Sequence, residues 1–139
     1  MIKDLVKDEA MLSTPCEPAT AEDAPVVQDL IDTLSSIEDA SCLAANQIGV
    51  TKNLFVYQDD KGENHAMFNA KILMALGGAK VYESCLTHED PVHVTRFAKI
   101  KVSYDELVDG QLKTRRRDFT GWVAQMIQHM VDHCKGKYV

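Results

Sequence analysis

The clearest periodicity in this chain lies at its C-terminal end. Over Thr120 to Val139, the residues Trp122, Val123, Met126, Ile127, Met130 and Val131 recur at three- and four-residue steps, which predicts a helix. Thr120 is placed to cap its start and Gly136 to stop it. A second stripe, Val26, Val27, Leu30, Ile31, Leu34 and Ile37, predicts an earlier helix with Asp23 as its cap and Pro25 in its first turn. That helix is expected to end near Glu38-Asp39. Met1 to Thr20 carries Pro15 and Pro18 and reads as an extended arm laid over the body.

Between the two helices the period falls to two. Asn53 to Gln58 predicts a strand, Asp59-Asp60-Lys61-Gly62 a turn, and Ala66 to Phe68 the returning strand. Lys71 to Gly78 fits a short helix or a loop and stays open, and Ala79 to Tyr82 reads as another short strand. His93 to Asp105 alternates cleanly, with Ile100, Val102 and Tyr104 on one face and Lys99, Lys101 and Ser103 on the other. Asp109-Gly110 predicts a hairpin turn into Leu112 to Phe119. A helix, several antiparallel strands and a terminal helix make the class α+β.

Composition narrows the picture. A chain of 139 residues is expected to form one domain, 1–139, and to bury roughly two-thirds of the surface its unfolded form would expose. The net charge of −6 argues against a general nucleic-acid binder, because neutralising phosphates requires a Lys/Arg surplus. The basic cluster Lys113 to Arg117 is bounded by Asp109 and Asp118 and reads as a solvated strand face. No run of apolar residues is long enough for a membrane span, and Met1 to Lys7 is unlike a signal-peptide core. A cytoplasmic protein without a membrane partner is expected, with Cys16, Cys42, Cys85 and Cys134 reduced. None of the four forms a C-x-x-C pair of the zinc-knuckle kind.

The candidate chemistry sits on the terminal helix. At about 100° per residue His129 and His133 fall on one face, one turn apart, where two imidazoles reach one metal ion. A metallohydrolase helix of the H-E-x-x-H type has this spacing, with Glu beside the first His as general base. Here that position is Met130. A lone His-x-x-x-His pair is weak evidence, since surface and core histidines share the spacing. Cys85 is a candidate third ligand because a thiolate binds zinc or iron(II) strongly, although a buried Cys commonly packs as a small hydrophobe. Cys134 projects about 100° around the helix from its neighbour His133 and is a poor candidate.

Three stretches, in this order and spacing, resemble the three signatures of the peptide deformylases. Leu43-Ala44-Ala45-Asn46-Gln47-Ile48-Gly49 resembles the first, Glu83-Ser84-Cys85-Leu86-Thr87 the second, and Gln128-His129-Met130-Val131-Asp132-His133 the third. The resemblance runs from about Leu12 to Tyr138. It implies removal of the formyl group from the N-terminal formyl-methionine of new bacterial polypeptides by an enzyme holding one divalent metal, usually iron(II), with zinc, nickel or cobalt as alternatives. Carried over residue by residue, it makes Cys85, His129 and His133 the metal ligands. Gln47, through its side-chain amide, and Leu86, through its backbone N–H, become the oxyanion donors. Gly49 lets the loop turn under the cleft, and Arg96 and Asp132 orient a histidine or brace the helix. The implied partner is a formyl-methionyl peptide or nascent chain, and a monomer is expected.

Two departures matter. Ser84 replaces a Gly before the metal Cys and adds bulk to the substrate loop. Met130 replaces the Glu that in the family takes a proton from the attacking water and returns it to the leaving amine, which a thioether cannot do. Loss of such a group costs about 10² to 10⁴ in rate. His88 and Glu89 are the nearest substitutes in sequence. The expectation is deformylase chemistry with weakened catalysis; the alternative is a metal-bearing binder of formyl- or Met-terminated peptides without turnover.

Overall fold

The computed structural model describes residues 1–38, 40–85 and 88–137, without the side chains of 84–92. Five strands form one antiparallel meander in the order β1-β2-β3-β4-β5. They are β1 (Cys42–Ala44), β2 (Leu54–Gln58), β3 (Asn64–Cys85), β4 (His88–Val108) and β5 (Gln111–Thr120). Among the described residues three helices accompany the sheet: α1 (Glu9–Leu12), α2 (Ala24–Ser35) and α3 (Gly121–Cys134). Short 3-10 turns precede α2 and follow β1. The class is α+β, as the pattern predicts. No helix among the described residues is long and apolar enough to cross a membrane.

β2 shows how the sheet organises two cores. Its side chains alternate faces. Phe55 and Tyr57 join Met67, Ile100, Val102 and the buried face of α3, including Ile127, Met130 and Val131. Leu54 and Val56 join Leu30 and Leu34 of α2, with Leu43 and Phe68. The strand is therefore buried on both faces and reads as a continuous apolar run.

The structure corrects the sequence reading in several places. Lys71 to Gly78 belongs to β3. Register shifts between Phe68 and Lys71 and between Ile72 and Met74 are bulges, and each flips the alternation that a period-two reading requires. Trp122, placed in the apolar stripe of α3, is 56% exposed. The arm contains a helical turn, α1, started by Asp8, whose carboxylate accepts from the Ala10 N–H. Asp23 does not cap α2 with its side chain; it accepts instead from the Thr20 N–H. Thr120 occupies the position before α3 without a side-chain cap. α2 stops at Ser35, where the Ser36 hydroxyl donates to the Thr33 carbonyl and competes with helix continuation.

Candidate metal centre and its surroundings

α3 is held against the sheet by its own polar residues. The Gln128 side chain, 4% exposed, accepts from the Phe97 N–H at 2.8 Å and donates to the Phe97 carbonyl at 2.9 Å. This double bond to one residue of β4 sets the rotation of the helix. His129, Met130 and His133 are then all buried.

The Nε2 atoms of His129 and His133 lie 3.0 Å apart. The other ring nitrogen of His129, Nδ1, is 2.7 Å from Glu83 Oε1. An ionised carboxylate only accepts, so Nδ1 carries a proton, and in the neutral imidazole Nε2 then keeps its lone pair. Two imidazole nitrogens on one tetrahedral ion with bonds of about 2.0 to 2.1 Å stand roughly 3.3 Å apart. The separation and the lone pair at His129 Nε2 therefore fit a shared cation.

Glu83 is the hub of this arrangement and carries no role in the sequence reading beyond membership of the second motif. It receives Arg96 Nε at 2.9 Å, Arg96 Nη2 at 2.7 Å and Gln125 Nε2 at 3.0 Å, besides His129. Burial alone would push its carboxyl upward, but hydrogen bonds from His129 and Arg96 outweigh that and hold it at about 2. Arg96 turns its third nitrogen to Asp132, Nη1 to Oδ2 at 2.6 Å. Burial lowers the tendency of that guanidinium to stay charged, and the two carboxylates more than restore it. Arg96 and Asp132 thus reach His129 through Glu83. A charged residue at the end of a strand was the available signal, but its partners come from β4 and α3.

The loop after β1 is the second wall. Gln47 is 1% exposed, and its Oε1 accepts from the Ala44 N–H at 2.9 Å, which orients the carboxamide so that Nε2 is its donor end. Asn46, also buried, donates from Nδ2 to the His133 carbonyl at 2.9 Å, tying this loop to the helix. The sequence reading gave Asn46 no role. Gly49 ends the turn at φ 90°, the left-handed region that glycine enters without strain. A Cβ there would meet only Val6 Cγ2 at 3.9 Å, so conformation rather than space selects glycine.

Leu86 and the side chains of Ser84, Cys85, His88 and Glu89 lie outside the described residues. Met130 is 1% exposed and packs in the core with Phe55, Met67 and Ile127. A cavity of about 760 Å³ lined by Tyr57, Tyr104, Phe119 and Val123 includes none of Gln47, His129 or His133.

A histidine pair on a buried helix, backed by a carboxylate and tied through Asn46 to the loop after β1, offers the donor types of a metal centre on an α+β meander. The model of the polypeptide deformylase family matches residues 2–139. The peptide deformylase of Clostridium beijerinckii is 37% identical over 137 residues, covering 98% of each chain. That of Symbiobacterium thermophilum is 32% identical, covering 97% of this chain and 64% of its own. Among solved structures, the peptide deformylase of Legionella pneumophila superposes with a TM-score of 0.84 at 27% identity, over 99% of this chain and 83% of that one. The Thermotoga maritima enzyme also gives 0.84, at 26% identity, over 99% and 93%. The chain belongs to the peptide deformylase family, which is metal-dependent.

Proposed function

We propose that this chain holds one divalent metal, iron(II), through Cys85, His129 and His133, and that it acts on the N-terminal formyl group of formyl-methionyl peptides with catalysis impaired at Met130. The observation that carries this reading is one turn of α3. His129 and His133 bring their Nε2 atoms to 3.0 Å, while Met130 between them is buried in the apolar core.

When bound, the metal supplies Lewis acidity and lowers the pKa of a water toward about 7. The rest is the work of this chain. Glu83 keeps the proton of His129 on Nδ1, so that the other nitrogen remains a ligand. Gln47, oriented by the Ala44 N–H, donates Nε2 to the formyl oxygen as the carbon becomes tetrahedral. The Leu86 N–H is proposed as the second donor, and Gly49 and Ser84 as the residues shaping the substrate loop. Met130 neither takes a proton from the attacking water nor returns one to the leaving amine. A second reading, a peptide binder without turnover, draws on the same burial of Met130.

The test is deformylation of a formyl-methionyl peptide by the iron(II)-loaded protein beside its Met130→Glu variant. A gain of about 10²-fold or more in the variant is expected. A parent that already matches the variant removes the impairment. Metal binding without turnover in both favours the binder.

A further inference from the structure

Cys16 and Cys134 are both free, and the function described above uses neither. The Cys16 N–H donates to the Cys134 carbonyl at 2.9 Å, which sets the two residues side by side, with their side chains close enough to influence each other. Both backbones are fixed. Cys134 is the last residue of α3 and 4% exposed. Next to Cys16, Glu17 donates its N–H to the Thr51 carbonyl at 3.0 Å and accepts from the Asn53 N–H at 2.7 Å. On the other side, the arm packs so closely on the end of α3 that a Cβ on Gly136 would stand 2.6 Å from Pro15 N and 2.8 Å from Ser13 O. A direct backbone hydrogen bond between two cysteines brings their Cα atoms into the range of separations that a disulfide spans, so the bond can close without a large movement of the chain.

We propose that Cys16 and Cys134 form a thiol–disulfide site that, on reaction with a low-molecular-weight disulfide, locks the N-terminal arm to the end of the helix carrying the histidine pair. The half-buried Cys16 is the thiol that such a reagent reaches; Cys134 is buried behind it. Cys16 Sγ attacks one sulfur of the small disulfide, forming a mixed disulfide and releasing one small thiol. Cys134 Sγ then attacks Cys16 Sγ, the mixed disulfide breaks, and the second small thiol leaves. The two cysteines lose two electrons and two protons, and the small disulfide gains both. In a reducing compartment such a bond is transient and reports the local redox state. The new loop joins position 16 to position 134 and restricts the unfolded chain over most of its length.

The experiment uses the full chain loaded with zinc, which has no redox chemistry of its own. The protein is incubated with glutathione disulfide, its remaining thiols are alkylated, and its peptides are mapped by mass spectrometry before and after dithiothreitol. The expected product joins the peptides of Cys16 and Cys134 and leaves Cys42 alkylated. The melting temperature is expected to rise by on the order of 10 °C and to fall back on reduction. In Cys16→Ser the cross-link and the rise both vanish. Alkylation of both cysteines after oxidation, a stable glutathione adduct on Cys16, or pairing of Cys134 with Cys42 would each overturn the proposal. None of these outcomes depends on metal ligation by Cys85 or on deformylation.

Discussion

His129 Nδ1 lies 2.7 Å from Glu83 Oε1, while the opposite ring nitrogen, Nε2, faces His133 Nε2 at 3.0 Å. One carboxylate therefore decides which nitrogen of His129 is available to a metal. Glu83→Gln removes the ionised acceptor but keeps the shape, and is expected to weaken zinc binding by about 10- to 100-fold. Competition with a chromogenic chelator measures this directly.

Glu83 also sets an acid limit on the fold. Its carboxyl is held at about 2 against an ordinary value of 4.5, so the folded state binds its proton later than the unfolded state does. The contribution is fully present above about pH 4.5 and is lost as pH falls from there toward 2. It amounts to about 3 kcal/mol. Urea midpoints of the metal-free protein between pH 6 and pH 2.5, compared with Glu83→Gln, isolate it: the parent is expected to show the steeper acid loss.

Arg96 makes three charge-assisted bonds in one plane, two to Glu83 and one to Asp132. Lysine keeps the charge but cannot reproduce the fork, so Arg96→Lys is expected to cost about 1 to 3 kcal/mol. Arg96→Met takes the buried guanidinium from between Glu83 and Asp132, leaving Glu83 to Gln125 and His129 and Asp132 to Lys137 at 3.7 Å, and is expected to cost about 3 to 5 kcal/mol. Chemical denaturation at neutral pH distinguishes the two variants.

Met130→Glu, expected to raise activity, is expected to lower stability. The side chain it replaces is 1% exposed among Phe55, Met67 and Ile127. A carboxylate introduced there is desolvated, at about 2 to 4 kcal/mol for the metal-free protein. A melting curve without metal should show the loss. A Met130→Glu protein as stable as its parent would mean that the side chain reaches water.

Gly136 follows α3 at φ 80°, and a Cβ on it would run into the backbone of Pro15, Thr14 and Ser13. Gly136→Ala is expected to cost about 2 to 4 kcal/mol from the left-handed backbone and the forced displacement of the arm. Limited proteolysis should show earlier cleavage between Thr14 and Thr20 than in the parent.

The chain's local patterns account for much of this. Steps of three and four determined α2 and the buried face of α3, because a helix repeats on a short sequence interval. The clean alternation of Ile100, Val102 and Tyr104 determined the face that β4 buries, and Asp109-Gly110 determined the hairpin into β5. The spacing of His129 and His133 placed both rings on one side of a helix before any packing was considered. Tertiary structure decided what depends on distant partners. Bulges in β3 erased its alternation, so Lys71 to Gly78 was legible only through its register with β4. Glu83 meets His129 across 46 positions, Asn46 meets His133 across 87, and Cys16 meets Cys134 across nearly the whole chain. Hydrogen bonds of that kind leave no period in the sequence, because they depend on how separate elements dock rather than on how any one of them repeats.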